Sequence, residues 1–163
     1  QGAIDDYNKA IAINPQYATA YYNRGVAKSN TGDITGAISD YQHALNIDPS
    51  YPDALHNLLG ARFKTRDNKG AISDLTNAIA MDPLDAFVYI TRGVYKGRLG
   101  DYKGALNDYN KAIEIDPYHA DFYFNRGEAK KELGDLKGAC EDWWKAAELG
   151  DEDAAKLVEE HCQ

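Results

Sequence analysis

Apolar side chains at helical spacing run through the chain from its first residues. Ala3, Tyr7 and Ala10 fall three to four residues apart, which is the spacing of one face of an amphipathic helix. The following stretch predicts two further helices, at residues 17–30 and 34–47. Because the connections between helices are short, consecutive helices must run antiparallel. The pattern therefore predicts an all-α chain.

Turn and cap residues mark the ends of these helices. Gly32 follows the first of the two helices, where a glycine can take the left-handed conformation that stops a helix, and Asp33 can cap the next one. Asp48 precedes Pro49, and a residue before proline avoids helical angles, so the second helix ends there. The same turn recurs as Gly100-Asp101 and Gly134-Asp135, and once as Arg66-Asp67.

The whole two-helix segment repeats. Prolines stand at positions 15, 49, 83 and 117, each 34 residues after the previous one, and such a period is typical of an array of stacked units. We predict one array made of a half repeat at residues 1–17, full repeats at 18–51, 52–85, 86–119 and 120–150, and a capping helix at 151–163.

Small and large residues alternate between equivalent positions of the repeat, as interdigitated packing requires. We call the first helix of each repeat helix A and the second helix B. In the first full repeat, helix A has the small residue Gly25 and the large residue Tyr21. Helix B has the small residue Ala37 and the large residue Tyr41. The equivalent glycines are Gly93 and Gly127, and the equivalent large residues of helix B are Leu75, Tyr109 and Trp143.

These residues carry a family resemblance over essentially the whole chain. The set Tyr21, Gly25, Ala37, Tyr41, Ala44 and Pro49 resembles the motif of the tetratricopeptide repeat. The resemblance implies an α-α superhelix, a solenoid of antiparallel helix pairs whose A helices line a concave face. The sequence departs from the motif where Arg24, Arg92 and Arg126 replace its leucine, and in the second repeat, where Gly60 comes one place late.

Each of these arginines has a partner in the period. Aspartates recur as Asp6, Asp40, Asp74, Asp108 and Asp142. Because a guanidinium holds a carboxylate with two hydrogen bonds, we interpret each arginine as half of an ion pair between packed helices rather than as part of an anion site. Whether Arg24 pairs with Asp40 of its own repeat or with Asp6 of the preceding one stays open.

Charge and composition exclude several functions. A net charge of −8 argues against a nucleic-acid-binding surface. No apolar run reaches the roughly 18 residues that a membrane span needs. Cys140 and Cys162 lack metal-type spacing, and we interpret them as two ordinary thiols. The chain begins with Gln1 and its one methionine is Met81, which indicates a fragment or a processed chain; a soluble, cytoplasmic protein is the favoured interpretation.

No catalytic or metal-binding motif is visible. The four histidines lie at different positions of the period, and neither a zinc-binding pair nor a nucleophile with a partnered base stands out. We therefore predict that the chain is not an enzyme and binds no cofactor or metal.

Positions that vary between repeats are freer to serve a ligand, because stacking constrains equivalent positions alike. By position in the family's helix A, a partner-binding surface on the concave face is predicted. It comprises Tyr22, Asn23, Val26, His56, Asn57, Phe63, Lys64, Phe87, Ile90, Arg98, Phe124 and Asn125. Its aromatic and amide groups suit an extended peptide or a partner helix.

The predicted function is therefore protein–protein interaction, as an adaptor or scaffold that binds a peptide or partner helix of unknown identity. On this hypothesis, replacing Tyr22 or Phe124 by alanine weakens binding without unfolding the array. Two alternatives stay open. The chain could self-assemble, as a homo-oligomer, by stacking through its N-terminal helix, or it could be the targeting arm of a larger enzyme.

Overall fold

The structure of the chain is a computed structural model that describes residues 2–162. Within that range it has ten α-helices and no strand. The helices are α1 (Gly2–Ile13), α2 (Ala18–Asn30), α3 (Ile34–Ile47), α4 (Pro52–Lys64), α5 (Asn68–Met81), α6 (Ala86–Arg98), α7 (Tyr102–Ile115), α8 (Ala120–Glu132), α9 (Leu136–Glu148) and α10 (Glu152–His161). The chain divides into two compact units, Gln1–Asp74 and Leu75–Gln163, which are described separately below as unit 1 and unit 2.

The predicted turn residues do end and begin these helices. Gly32 has a φ of +89°, which is strained for a residue with a side chain but not for glycine. The Asp33 side chain then accepts a hydrogen bond from the backbone N–H of Gly36 at 2.9 Å and caps α3. Asp48 stands at the C-terminus of α3, as the Asp-Pro pair predicted. These helix ends are therefore confirmed.

In the second repeat Arg66 takes the place of the turn glycine. Its φ is +56°, the one positive value for a non-glycine residue in the described part of the chain. A side chain in this left-handed conformation costs on the order of 1 kcal/mol. The position therefore carries local strain that its glycine counterparts avoid.

We expect Arg66→Gly to stabilise unit 1 by up to about 0.5 kcal/mol, since the added freedom of the unfolded chain offsets only part of the relieved strain of about 1 kcal/mol. Chemical denaturation of the two proteins measures the difference. The reverse change, Gly100→Ala at a φ of +79°, is the matched control and should destabilise by a similar amount. A loss of stability in Arg66→Gly would mean that the arginine side chain contributes more than its backbone strain costs.

Unit 1 is held together by a core between α2, α3 and α4. Ala37, Tyr41, Leu58 and Ala61 are buried in this core. Gly25 lets α2 approach it closely, because a Cβ atom there would lie 2.7 Å from Cε1 of Tyr41. The small residue on helix A and the aromatic on helix B thus pack as the repeat pattern predicted.

Unit 2 has the same packing and a cap. Gly127 stands where a Cβ atom would lie 2.6 Å from Nε1 of Trp143, a side chain with no exposed area. The last helix, α10, buries Ala154 and Val158 in the cluster that contains Trp143 and Ala146. Residues 152–161 therefore cover the final helix B.

The recurring arginines pair with the aspartate of their own repeat. Arg24 Nη2 lies 2.6 Å from Asp40 Oδ1, and Lys28 Nζ lies 2.8 Å from Asp40 Oδ2. The equivalent pairs in unit 2 are Arg92–Asp108 and Arg126–Asp142. In the second repeat the ion pair is instead Arg62–Asp74. The question left open for Arg24 is thereby answered in favour of Asp40.

Cys140 and Cys162 form a disulfide, so their interpretation as two ordinary thiols was wrong. Cys140 lies in α9 and Cys162 directly follows α10, and their Cα atoms are 5.6 Å apart. The pair is 22 residues apart, a spacing that fits no sequence motif. It meets only because α10 folds back along α9.

Candidate functional site

The helix A surface of unit 1 begins with a hydrogen-bonded pair. The Asn57 side chain on α4 donates a hydrogen bond to the Tyr22 hydroxyl on α2 at 3.0 Å. The Tyr22 ring also lies 5.0 Å from the ring of Tyr51, centroid to centroid. Tyr22 and Val26 both pack against the core of this unit. Tyr22, Asn57 and Val26 therefore help to hold α2 and α4 together, and Tyr22→Ala is a poor test of binding because it also removes packing.

Four other predicted residues of unit 1 are more open. His56, Phe63 and Lys64 are exposed along α4, and Asn23 is half-buried on α2. Phe63 is the largest apolar side chain among them, with 57% of its surface accessible. Phe63 therefore presents apolar surface to solvent on α4.

In unit 2 the two predicted apolar residues of α6, Phe87 and Ile90, differ in their exposure to solvent. Phe87 is 54% exposed, whereas Ile90 is 8% exposed and lies in the core cluster with Tyr109 and Phe122. The prediction that Ile90 faces a partner is corrected, because α7 and α8 pack over this side of α6. Phe87 stays a candidate.

The other predicted residues of unit 2 have intramolecular partners. The Arg98 guanidinium lies 5.1 Å from the Tyr95 ring centroid. Phe124 is half-buried against the cluster around Trp143. The Asn125 side chain donates to the backbone carbonyl of Asp121 at 2.7 Å, so one of its amide hydrogens is used within α8. Of these, Arg98 is the most exposed.

Two of the most exposed apolar side chains were missed by the sequence interpretation. Leu84, before α6, is 74% exposed, and Tyr118, before α8, is 81% exposed. Each directly follows an Asp-Pro pair, where the earlier repeats have the polar residues Gln16 and Ser50. The change from a polar to a large apolar residue at an equivalent position could have identified these two side chains from the sequence. The position lies in the connection before helix A and not in helix A itself.

The pKa values of two groups in the packed core of the repeats are shifted. Burial raises the pKa of the Tyr109 hydroxyl to about 12. Burial also opposes the charge of Asp40, but hydrogen bonds from Arg24 and Lys28 outweigh it and lower the pKa of this carboxyl. In residues 2–162 no three His, Cys, Asp or Glu side chains are grouped closely enough to hold a metal ion.

The helices are too short or too polar to span a bilayer, as far as the described residues go. With helix pairs repeated every 34 residues and exposed side chains on helix A, the molecule is a helical-repeat protein.

Comparison with known proteins identifies the kind of repeat. A family model described as TPR repeat, the tetratricopeptide repeat, matches residues 1–32, 30–65 and 98–134, together more than half of the chain. The chain belongs to this family, which confirms the predicted all-α repeat fold. The family is one of protein-interaction scaffolds, and its fold points to a non-enzymatic role. No curated protein matches the chain.

Solved structures share the fold. A crystal structure of MamA is 25% identical, covers 93% of this chain and 89% of its own, and has a TM-score of 0.75. MamA from Desulfovibrio magneticus RS-1 is 22% identical; the match covers 90% of this chain and 82% of that MamA chain, with a TM-score of 0.71. YrrB, a TPR protein with an unusual peptide-binding site, is 24% identical, with coverages of 96% and 81% and a TM-score of 0.77.

Proposed function

We propose that this chain is an adaptor that binds a peptide or partner helix on the exposed faces of its A helices. The observation that carries the proposal is the exposure of one large aromatic side chain on an A helix of each unit. Phe63 on α4 is 57% exposed and Phe87 on α6 is 54% exposed. Aromatic side chains bury much apolar area at little entropic cost, and they commonly dominate binding energy at interfaces.

The polar groups beside these aromatics support the same function. Lys64 is exposed on α4 next to Phe63 in sequence, and His56 is exposed seven residues, about two helical turns, before it. In unit 2, Arg98 is exposed at the end of α6. Such groups fix the register of a bound segment, while the aromatics supply most of the affinity. YrrB, a protein with this fold, has a peptide-binding site.

A random peptide library displayed on phage and selected against the chain tests the proposal. We expect binders of unit 1 to lose about tenfold or more in affinity on Phe63→Ala, and binders of unit 2 to lose as much on Phe87→Ala, since each change removes the anchor of its unit. Both side chains are more than half exposed, so the variants should keep the helical circular dichroism of the parent chain.

Trp144→Ala is the matched control. Trp144 is 55% exposed, like the two phenylalanines, but lies on α9, a helix B. Enriched peptides should bind this variant as they bind the parent chain. Peptides that lose binding to Trp144→Ala and keep binding to both phenylalanine variants would contradict the placement of the site on helix A.

A further inference from the structure

The connections that lead into α6 and α8 bring an aromatic group to one edge of unit 2. The Phe87 ring lies 4.9 Å from the His119 ring, centroid to centroid, in an edge-on arrangement. It also lies 5.5 Å from the ring of Phe122, which is 1% exposed. Phe87 is thus held in place by a core ring on one side and remains open on the other. We call Leu84, Phe87, Tyr118 and His119 the aromatic edge.

The repeat fold does not require the apolar character of this edge. At the position of Leu84 and Tyr118 the first two boundaries have Gln16 and Ser50, both exposed, and the same Asp-Pro turn forms before Ser50. Leu84 and Tyr118 are 74% and 81% exposed, so stacking gains little from them. Single exposed apolar residues are common, but the contact between the Phe87 and His119 rings joins the two connections, and a contiguous exposed apolar group typically marks an interaction site.

The charge of the same segments is mostly negative, although two of the carboxylates have partners: Glu114 Oε1 lies 2.8 Å from Lys111 Nζ, and Asp116 Oδ2 lies 3.0 Å from His119 Nε2. Residues 82–91 and 112–125 contain Asp82, Asp85, Glu114, Asp116 and Asp121 but no lysine or arginine. Three of these carboxylates also accept a backbone hydrogen bond: Asp82 from Leu84, Asp85 from Phe87 and Asp116 from Tyr118. Those bonds explain why aspartate suits the turns, and they leave the negative charge in place beside the apolar groups.

The acidic character continues along α8. Glu128 and Glu132 stand seven and eleven residues after Asp121, which places all three on one side of the helix. Oε1 of Glu128 is shielded from solvent and accepts no hydrogen bond. A shielded carboxylate oxygen without a donor is unfavourable. The exposed acidic groups on this side of α8 are therefore Asp121 and Glu132, which extend the negative surface from the connection along the helix.

We infer that the aromatic edge binds a basic segment of a partner protein, one that combines lysine or arginine with large apolar side chains. The apolar side chains pack on Phe87 and Tyr118, and the cationic groups pair with the carboxylates of the two connections. This inference rests on the proposed function and adds the chemistry of the partner to it. Opposite charges across the interface steer association, so binding should weaken as salt is added.

Three synthetic peptides of equal length test the inference. The first alternates lysine with leucine and tryptophan, the second replaces each lysine by glutamate, and the third replaces each apolar residue by serine. Fluorescence anisotropy with the full chain should show the first peptide binding at least about tenfold more tightly than either of the others. Its affinity should fall several-fold between about 50 mM and about 300 mM NaCl.

Variants place the binding on the aromatic edge rather than on the net negative charge of the chain. Phe87→Ala with Tyr118→Ala, and separately Asp82→Asn with Asp121→Asn, should each weaken the first peptide about tenfold. Glu141→Gln with Glu152→Gln removes the same number of exposed carboxylates from α9 and α10 and should have little effect. Equal losses in the two charge variants would overturn the inference.

The two proposals can fail separately. If library peptides need Phe87 but the lysine peptide binds no better than the glutamate peptide, the partner chemistry is wrong and the helix A site stands. If the lysine peptide binds and the edge variants do not weaken it, the inference is likewise overturned. If neither the library nor the three peptides bind, both proposals are wrong.

Discussion

Asp40→Asn should lower the free energy of unfolding of unit 1 by about 3 kcal/mol at neutral pH, because it leaves two cations facing each other without their shared anion. Asp40 is 2% exposed. Its carboxylate accepts from Arg24 Nε at 2.9 Å and Nη2 at 2.6 Å, and Lys28 Nζ lies 2.8 Å away. Asparagine keeps the shape of the side chain but not its charge, so the change isolates the electrostatic contribution.

The pH dependence of this difference follows from the pKa of Asp40. Burial opposes its ionisation, but the hydrogen bonds from Arg24 and Lys28 outweigh burial, and the folded-state pKa lies below the unfolded value. A depressed carboxyl pKa stabilises the fold above the unfolded pKa of about 3.9, and the contribution is lost as the pH falls through the folded value. The gap between the parent and Asp40→Asn should therefore be full at pH 7 and shrink below about pH 4.

Asp6→Asn is the matched control, because Asp6 occupies the same repeat position in α1. Its side chain is 76% exposed and its ion-pair partner is Lys9, at 3.5 Å. An exposed pair of this kind contributes little, so stability should barely change. Denaturation by guanidinium chloride measures the stability of each variant. Because repeat arrays can unfold in parts, hydrogen exchange of the α2 and α3 amides should be measured as well. Equal stability of Asp40→Asn and Asp6→Asn would contradict the expected role of Asp40.

The fold was predictable from the sequence because stacking imposes the same residues at the same positions. Ile34–Ile47 has the predicted limits, and α2 begins at Ala18, one residue after the predicted start. A turn glycine, a capping aspartate and an Asp-Pro stop define such limits locally, without knowledge of the neighbouring helices. The sequence could not decide whether Arg24 pairs with Asp40 or with Asp6, because both aspartates stand at the same position of the repeat. The structure shows the pair with Asp40.

The candidate surface was harder to predict because exposure depends on the size of neighbouring side chains. Tyr22, His56 and Ile90 stand at equivalent positions of helix A, yet Tyr22 is half-buried, His56 exposed and Ile90 buried. A period gives the face of a helix but not how far the next helix covers it. Leu84 and Tyr118 lie in the connections before helix A, where the resemblance predicts no binding surface. The polar residues Gln16 and Ser50 at the equivalent positions mark them as unusual.

The disulfide could not be predicted from the sequence, because it too depends on how neighbouring helices pack. Cys140 and Cys162 are 22 residues apart and belong to α9 and to the end of α10. Only the register with which α10 lies against α9 brings the two sulfur atoms together. That register is set by the burial of Ala154 and Val158 against Trp143, which a helical pattern alone does not reveal.

Reduction of this disulfide should loosen α10 before the rest of unit 2. Closing a loop between residues 22 positions apart restricts the unfolded chain and stabilises the fold by about 3 kcal/mol. Few buried side chains hold α10, chiefly Ala154 and Val158, so most of its attachment is expected to depend on the link. Terminal elements with few buried contacts open most readily.

Hydrogen exchange with and without a dithiol reductant measures the loss. Amides of α10 should exchange about a hundredfold faster after reduction, as a loss of about 3 kcal/mol implies. Amides of α6 and α7 should change much less, because they lie away from the link within the same unit. In a Trp144→Phe background the fluorescence of Trp143 should also report its new contact with water.

The variant with both Cys140→Ser and Cys162→Ser separates the disulfide from other effects of the reductant. It should exchange like the reduced parent chain and be insensitive to the dithiol, since it has no bond to break. Unchanged protection of α10 in both the reduced chain and this variant would show that apolar packing alone holds the cap. The stability of the C-terminal repeat would then depend on the fit of Ala154 and Val158 around Trp143, and the link would be dispensable for it.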